Sequence, residues 1–141
     1  MVEMRIVYDG ELGCTAVHGP SGSQLRTDAP VDNHGRGLSF SPTDLLATSL
    51  ATCIVSTMAI MAERHGWDVS DTTAVVEKTM VADPVRRVGR LTVKIRVPRA
   101  LDARARETLE RTAVTCPVHK SLHPSVEIPV TFEWGPPPAV S

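Results

Sequence analysis

The sequence predicts an α+β fold that combines antiparallel strands with one long apolar helix. Three observations support it: alternating apolar residues near both ends, an uncharged stretch of eighteen residues from Leu45 to Ala62, and the element order βββ-α-ββ-α-α-β. Because strands follow one another in this order, antiparallel pairing is favoured over parallel βαβ units. The 141 residues fit one domain, residues 1–135, and the Pro-rich residues 136–141 are expected to form a flexible tail.

Three strands are predicted before the helix. The segments MRIVY and CTAVH flank DGELG, a pattern typical of a β-hairpin, and SQLRTD has the character of a third short strand. The segment DAPVDNHGRG collects Pro, Asn, Asp and Gly, so we expect it to be a loop.

The long helix has clear signals at both ends. Ser41 is a predicted N-cap, Pro42 occupies the first helical position, and Asp44 stands three residues after Ser41, which is close to a capping box. His65 and Gly66 are suited to the C-terminal end. The helix is therefore expected to cover about 24 residues, or roughly 36 Å.

The apolar character of this helix has two possible causes, a membrane or a buried position. Eighteen uncharged residues reach the threshold for a membrane span, but Thr and Ser residues dilute the apolar content. We therefore predict a helix that is packed on most sides. Because one six-stranded sheet cannot enclose a helix all round, a second copy of the chain is expected to cover the remainder, which predicts a homodimer.

Three strands and two short helices are predicted in the second half. DTTAVVEKTMVA and RLTVKIRV should pair around the turn ADPVRRVG, with alternating apolar residues on one face of the second strand. LDARARETLERTA is expected to be a helix capped by Asp102, and Cys116 with Pro117 should begin another short helix. VEIPVTFEW alternates again, and Pro129 places it at a sheet edge.

Composition narrows the classes of partner. The net charge is −1, which gives no reason to expect nucleic acid or an anionic membrane. The first ten residues carry Glu3 and Arg5 and have no secretory pattern. Three cysteines, an odd and sparse set, are typical of a reducing compartment, so we expect a cytoplasmic protein.

Cys53 and Cys116 are the candidate reactive groups. Cys116 precedes Pro117 at a predicted helix start, where the helix dipole favours a thiolate, so local electrostatics predict the lower pKa at Cys116. Cys53 lies in mid-helix and would need a cation brought by folding, with Arg36 or Arg26 as the sources. The spacing of the two cysteines in the sequence does not show whether they are in contact. Both are also compatible with unreactive, buried positions in the core.

A metal site is the alternative reading of the second cysteine. Cys116, His119 and His123 form C-x2-H-x3-H, a chemically suitable ligand set for zinc. The set has no visible fourth ligand, and a metal gives Cys53 no role. We therefore predict no metal and no cofactor.

The motifs around the two cysteines resemble a known family. The stretch TDAPVDNHGRGLSFSPTDLLATSLATC and the later CPVHKSL resemble the OsmC/Ohr family of thiol peroxidases, and are most similar to its OsmC-like branch. The resemblance extends over the whole chain in element order. Its specific parts are S-P-x-D-L-L-x-x-x-L-x-x-C and the second C-P-V.

The resemblance implies both a fold and a reaction. The fold is an OsmC-like intertwined homodimer, with two long central helices enclosed by two six-stranded antiparallel sheets. The reaction is the reduction of organic hydroperoxides: Cys53 attacks the peroxide and becomes a sulfenic acid. Cys116 then closes a disulfide that a dithiol, lipoyl-like reductant opens. Cys14 has no family role and is expected to be a strand residue.

This chain departs from the family at the supporting charges. Well-studied members carry a glutamate where this chain has Thr43, paired with an arginine that holds the thiolate. The nearest carboxylate here is Asp44, one position on, which rotates the side chain by about 100° around the helix. Arg36 is the first choice for the arginine and Arg26 the second.

The sequence therefore predicts a thiol peroxidase active in oxidative-stress defence. The candidate catalytic residues are Cys53, Cys116, Arg36 and Asp44. The alternative is a non-enzymatic dimer that binds an apolar ligand or senses redox state with its thiols, which the loss of the glutamate at Thr43 motivates.

Overall fold

The computed structural model describes residues 1–136 and confirms the predicted order of strands and helices. It has two compact units, one of residues 1–46 and one that begins at Ala47. The six strands form two separate three-stranded sheets, one in each unit. The predicted tail lies, from residue 137 onward, outside the described residues.

The first unit contains an antiparallel meander. Its strands are β1 (Met4–Gly10), β2 (Gly13–His18) and β3 (Gln24–Asp28), in that order across the sheet. The turn between β1 and β2 places Glu11 and Leu12 at φ values of 53° and 66°. A short 3-10 helix, Val31–Asn33, interrupts the predicted loop.

The loop after β3 is held tightly by its own backbone. The N–H of Gly35 donates to the Pro30 carbonyl at 2.9 Å, and that of Gly37 donates to the Ala29 carbonyl at 3.2 Å. A Cβ atom on Gly35 would lie 1.7 Å from the Ala29 oxygen, so only glycine fits there. The close approach gives Arg36, between the two glycines, a defined backbone position.

Helix α1 (Pro42–His65) begins and ends where its signals predict. The N–H of Asp44 donates to Ser41 Oγ at 3.1 Å, and the N–H of Ser41 donates to Asp44 Oδ2 at 2.9 Å. These reciprocal bonds are a capping box with aspartate in the usual place of glutamate. Gly66, at φ 69°, supplies the left-handed residue after the helix.

The sheet of the second unit is mixed. Strands β4 (Thr73–Val81) and β5 (Arg87–Val97) are antiparallel, whereas β6 (Val130–Trp134) pairs parallel to β5. The prediction of purely antiparallel sheets is wrong here, because α2 (Ala103–Ala113) and α3 (Pro117–Ser121) form a long crossover that returns the chain to the same end of the sheet. The edge position predicted for β6 is confirmed.

The core of the second unit is aliphatic. Its fully buried large side chains come from α1, β5 and α2 in this order: Leu50, Ile54, Met58, Leu91, Val93, Ile95, Val97 and Leu109. The predicted inward face of β5 is thereby confirmed, as is the Asp102 cap of α2, whose Oδ1 accepts the Ala105 N–H at 2.8 Å.

Helix α1 buries only part of its circumference. Among the described residues it is the one helix long and apolar enough to span a bilayer. Its most apolar 18-residue stretch has a mean hydropathy of 1.9, and 33% of that stretch is buried. Ala47, Ala51 and Ala62 are buried, whereas Thr52, Ser56 and Ile60 are exposed. A second copy of the chain is predicted to cover this exposed side.

Candidate functional site

The two candidate cysteines lie on different elements of the second unit. Cys53 is on α1 and is half-buried, next to the fully buried Ile54. Cys116 is fully buried and is the N-cap of α3, where its sulfur accepts the N–H of His119 at 3.2 Å. The backbone N–H of Val118 also points to this sulfur.

The structure brings the two thiols together. Cys53 is close enough to Cys116 to raise its pKa, although 63 residues separate the two along the chain (116 − 53). Both cysteines are free thiols.

Cys116 is not the low-pKa thiol that local electrostatics predicted. Burial raises the pKa of Cys116, the N–H groups of His119 and Val118 lower it, and the neighbouring Cys53 raises it further. The balance is a raised pKa, because desolvation penalises the thiolate more than the two backbone donors stabilise it. The cap was visible in the sequence, whereas the burial arises from tertiary packing.

The two candidate arginines lie in the first unit, each beside a carboxylate. Arg36 Nη1 is 2.8 Å from Glu11 Oε2, and its Nε is 3.9 Å from Asp28 Oδ2. Arg26 Nη2 is 3.9 Å from Asp9 Oδ2. Support of Cys53 by either arginine stays a prediction.

Asp44 has a structural contact at the start of α1. Its carboxylate accepts the Ser41 N–H, and Ser41 Oγ lies 3.3 Å from the Thr43 hydroxyl. The capping role that we considered for Asp44 is thus present, and a catalytic role stays a prediction. Cys14 lies on β2, opposite Tyr8 and Thr27, as a strand residue.

The metal alternative gains no support from the described residues. Residues 1–136 contain no group of three His, Cys, Asp or Glu side chains placed to hold a metal ion. The ring of His123 instead contacts Ser125 Oγ at 2.7 Å through Nδ1.

A groove in the second unit was not foreseen from the sequence. A cavity of about 440 Å³ lies between α1 and β4 and is lined by aliphatic and hydroxyl side chains: Thr48, Ala51, Thr52, Val55, Ser56, Thr72, Ala74 and Val76. Thr48, Thr52 and Ser56 recur every four residues, a spacing that places them on one face of a helix. In the sequence these hydroxyls only dilute the apolar content of the helix, and their four-residue spacing is the signal that locates this face.

Fold and site together define an α+β protein with two neighbouring thiols, Cys53 on its long helix and Cys116 at the cap of a short helix. The OsmC-like protein family matches residues 34–131, and the chain belongs to this family. No curated protein matches the chain.

Several solved structures share the fold. A protein from Psychrobacter arcticus 273-4 is 44% identical to this chain, and its structure is described provisionally as that of an osmotic stress induced and detoxification response protein. The alignment covers 94% of this chain and 96% of that one, with a TM-score of 0.89. The organic hydroperoxide resistance protein OsmC of Legionella pneumophila is 17% identical, with coverages of 94% and 96% and a TM-score of 0.77. The organic hydroperoxide resistance protein OhrB of Bacillus subtilis is 15% identical, with coverages of 94% and 98% and a TM-score of 0.67.

Proposed function

We propose that this protein is a thiol peroxidase that reduces organic hydroperoxides, with Cys53 as the attacking and Cys116 as the resolving cysteine. The observation that carries the proposal is that the two thiols are neighbours, with Cys53 raising the pKa of Cys116. Membership in the OsmC-like family supports it, as do the names of the Legionella and Bacillus structures.

The reaction balances with the two thiols alone. The Cys53 thiolate attacks the distal peroxide oxygen, the O–O bond breaks, and the alkoxide leaves as an alcohol after taking a proton. Cys116 then attacks the Cys53 sulfenic acid, a disulfide forms, and the hydroxyl leaves as water. A dithiol reductant of the lipoyl type restores both thiols by exchange.

The difference in burial supports this division of roles. Cys116 is fully buried and has a raised pKa, so at neutral pH it is a protonated thiol and a weak nucleophile. Cys53 is half-buried and is the more accessible of the two.

The test is peroxide titration of the reduced protein. One equivalent of cumene hydroperoxide should yield a Cys53–Cys116 disulfide in mass spectrometry, and Cys53→Ser should abolish peroxide consumption. Cys116→Ser should leave a sulfenic acid that dimedone traps, while Cys14→Ser is the matched control and should behave as wild type. Consumption by Cys53→Ser at the wild-type rate would end the proposal.

A homodimer and a cytoplasmic location belong to the same proposal. Each unit exposes large apolar side chains, Ile60 and Val75 in the second and Ile6 and Tyr8 in the first, as expected of surfaces that a second copy covers. Light scattering should give twice the chain mass of 15.2 kDa, and a monomer at micromolar concentration would contradict this part.

The groove between α1 and β4 favours a second candidate function, the binding of an apolar ligand. Its lining alternates aliphatic groups with hydroxyls and contains no charged side chain. Native mass spectrometry of the protein purified from cells should then show a bound acyl-type molecule, which Ala51→Trp would displace. Ligand-free spectra would leave the peroxidase as the sole candidate.

A further inference from the structure

The two thiols of the proposed reaction differ in their access to solvent. Cys116 is 0% exposed, and Leu109 and Ala113, which precede it on α2, are also fully buried. The sulfur of Cys116 accepts the His119 N–H at 3.2 Å. Cys53, in contrast, keeps part of its exposure. A reagent from solvent therefore has access to Cys53, whereas Cys116 is shielded from it.

Cys53 lies at the border between the buried and the exposed side of α1. Leu50, three residues before it, is fully buried, whereas Ser56, three residues after it, is exposed. Residues three positions apart are neighbours on a helix surface, so Cys53 stands between the two. From Leu45 to Ala62 the helix carries no charged residue. The surface of α1 around Cys53 is thus uncharged and open to solvent on one side.

This difference in access bears on how a disulfide between the two cysteines is reduced. Thiol–disulfide exchange begins when a thiolate attacks one of the two sulfurs and displaces the other, and its rate depends on which sulfur the thiolate can reach. The attacked sulfur then carries the mixed disulfide with the reductant. The more accessible cysteine is therefore expected to hold this intermediate.

We propose that the reductant attacks the Cys53 sulfur of the Cys53–Cys116 disulfide and that Cys116 is the leaving group. This inference rests on the proposed function, because that disulfide is its starting point. The reductant sulfur bonds to Cys53, the S–S bond breaks, and the electron pair stays on Cys116 as a thiolate, which then takes a proton. The His119 N–H, already a donor to this sulfur, stabilises the negative charge as it forms.

The second step separates a dithiol from a monothiol reductant. The second thiolate of a dithiol attacks the reductant's own first sulfur, Cys53 leaves as a thiolate, and the reductant departs as a cyclic disulfide. A monothiol has no second thiol, so Cys116, which remains close to Cys53, attacks the Cys53 sulfur again and expels it. Peroxide and reductant therefore both meet the protein at Cys53, and Cys116 reacts only with Cys53.

The position of the mixed disulfide tests the proposal. Full-length protein carrying Cys14→Ser is oxidised with diamide, which needs no peroxide, and treated with the uncharged monothiol 2-mercaptoethanol. Exchange is stopped with acid, and peptide mass spectrometry locates the hydroxyethyl adduct. The adduct on Cys53 should exceed that on Cys116 at least about tenfold. An adduct mainly on Cys116, or equal amounts on both, would overturn the proposal.

The same experiment separates this inference from the peroxidase proposal. If diamide forms no Cys53–Cys116 disulfide, the inference falls, whereas trapping of a sulfenic acid in Cys116→Ser still decides whether Cys53 attacks peroxide. If the disulfide forms but peroxide is not consumed, the peroxidase proposal falls, and the position of the adduct still identifies the attacked sulfur.

A matched pair of variants decides the matter if the disulfide closes again before an adduct collects. In the Cys14→Ser background, Cys116→Ser leaves Cys53 as the single thiol, and Cys53→Ser leaves Cys116. With hydroxyethyl disulfide as the probe, the Cys53 thiolate should react at least about tenfold faster than the Cys116 thiolate in folded protein. Rates of the thiolates are taken from their pH dependence, so a difference in pKa does not enter. Unfolding in urea should remove the difference, and equal rates in folded protein would refute the proposal.

Discussion

The capping box of α1 allows a decisive test of whether Asp44 acts in stability or in chemistry. Ser41 is 1% exposed, its Oγ accepts the Asp44 N–H at 3.1 Å, and the Asp44 carboxylate accepts the Ser41 N–H at 2.9 Å. Ser41→Ala should cost about 1 kcal/mol of the free energy of unfolding, within a range of roughly 0.5–2. Asp44→Ala should cost about 1–2 kcal/mol, because it removes the reciprocal bond and a negative charge at the helix N-terminus.

The expected shifts are large enough to measure by thermal unfolding. With about 2.1 cal/mol/K per residue, the 141-residue chain has an unfolding entropy of roughly 0.3 kcal/mol/K, so 1 kcal/mol lowers Tm by about 3 °C. Asp44→Asn retains an acceptor oxygen and loses only the charge, so it should cost about 0.5 kcal/mol. The double variant with Ser41→Ala and Asp44→Ala should lose less free energy of unfolding than the two single variants lose in sum.

Peroxide consumption is the second readout of the same variants. If Asp44 serves as a cap, all of them should consume cumene hydroperoxide at the wild-type rate per folded molecule at 25 °C. A tenfold loss of rate in Asp44→Asn, with Tm unchanged and Ser41→Ala fully active, would refute the reasoning. Asp44 would then act at the thiol site.

Two further predictions concern the loop and the buried thiol. Gly35→Ala should destabilise the protein by several kcal/mol in urea unfolding, because its Cβ would lie 1.7 Å from the Ala29 carbonyl oxygen. Gly22→Ala, at φ 74° with open space around the added Cβ, should cost about 1 kcal/mol. Equal costs for the two variants would contradict the close approach at Gly35. Since the folded-state pKa of Cys116 is raised, its contribution to stability is present below the unfolded pKa of about 8.5 and is lost as pH rises through the folded value. Urea unfolding between about pH 8 and 10.5 should therefore show a steeper loss for wild type than for Cys116→Ala, and parallel curves would show that burial leaves this pKa unchanged.

Local signals account for most of what the sequence could predict of the fold. The start of α1 depends on Ser41, Pro42 and Asp44, and the cap of α2 depends on Asp102. The hydrogen bonds that form these caps join residues only three positions apart in the sequence. The direction of β6 depends instead on where the crossover through α2 and α3 returns the chain. Alternation of apolar residues is the same in a parallel and an antiparallel strand, so the pattern around Phe132 carried no information on direction.

The candidate site shows the same division between local and tertiary information. The cap position of Cys116 follows from Pro117, and in the structure its sulfur accepts the His119 N–H. Its burial and the nearness of Cys53 depend on tertiary packing between residues distant in sequence. The two motifs could be joined before the structure only through the resemblance to a family.

The raised pKa of Cys116 has a chemical consequence under the proposed reaction. At neutral pH the buried sulfur holds its proton, so it does not compete with Cys53 for peroxide. Once Cys53 is a sulfenic acid, the same proton is available to the departing hydroxyl, which leaves as water, and the N–H groups of His119 and Val118 stabilise the thiolate as it attacks. Burial then assigns the order of events: the half-buried thiol meets the substrate first, and the fully buried one reacts only with the product of that step.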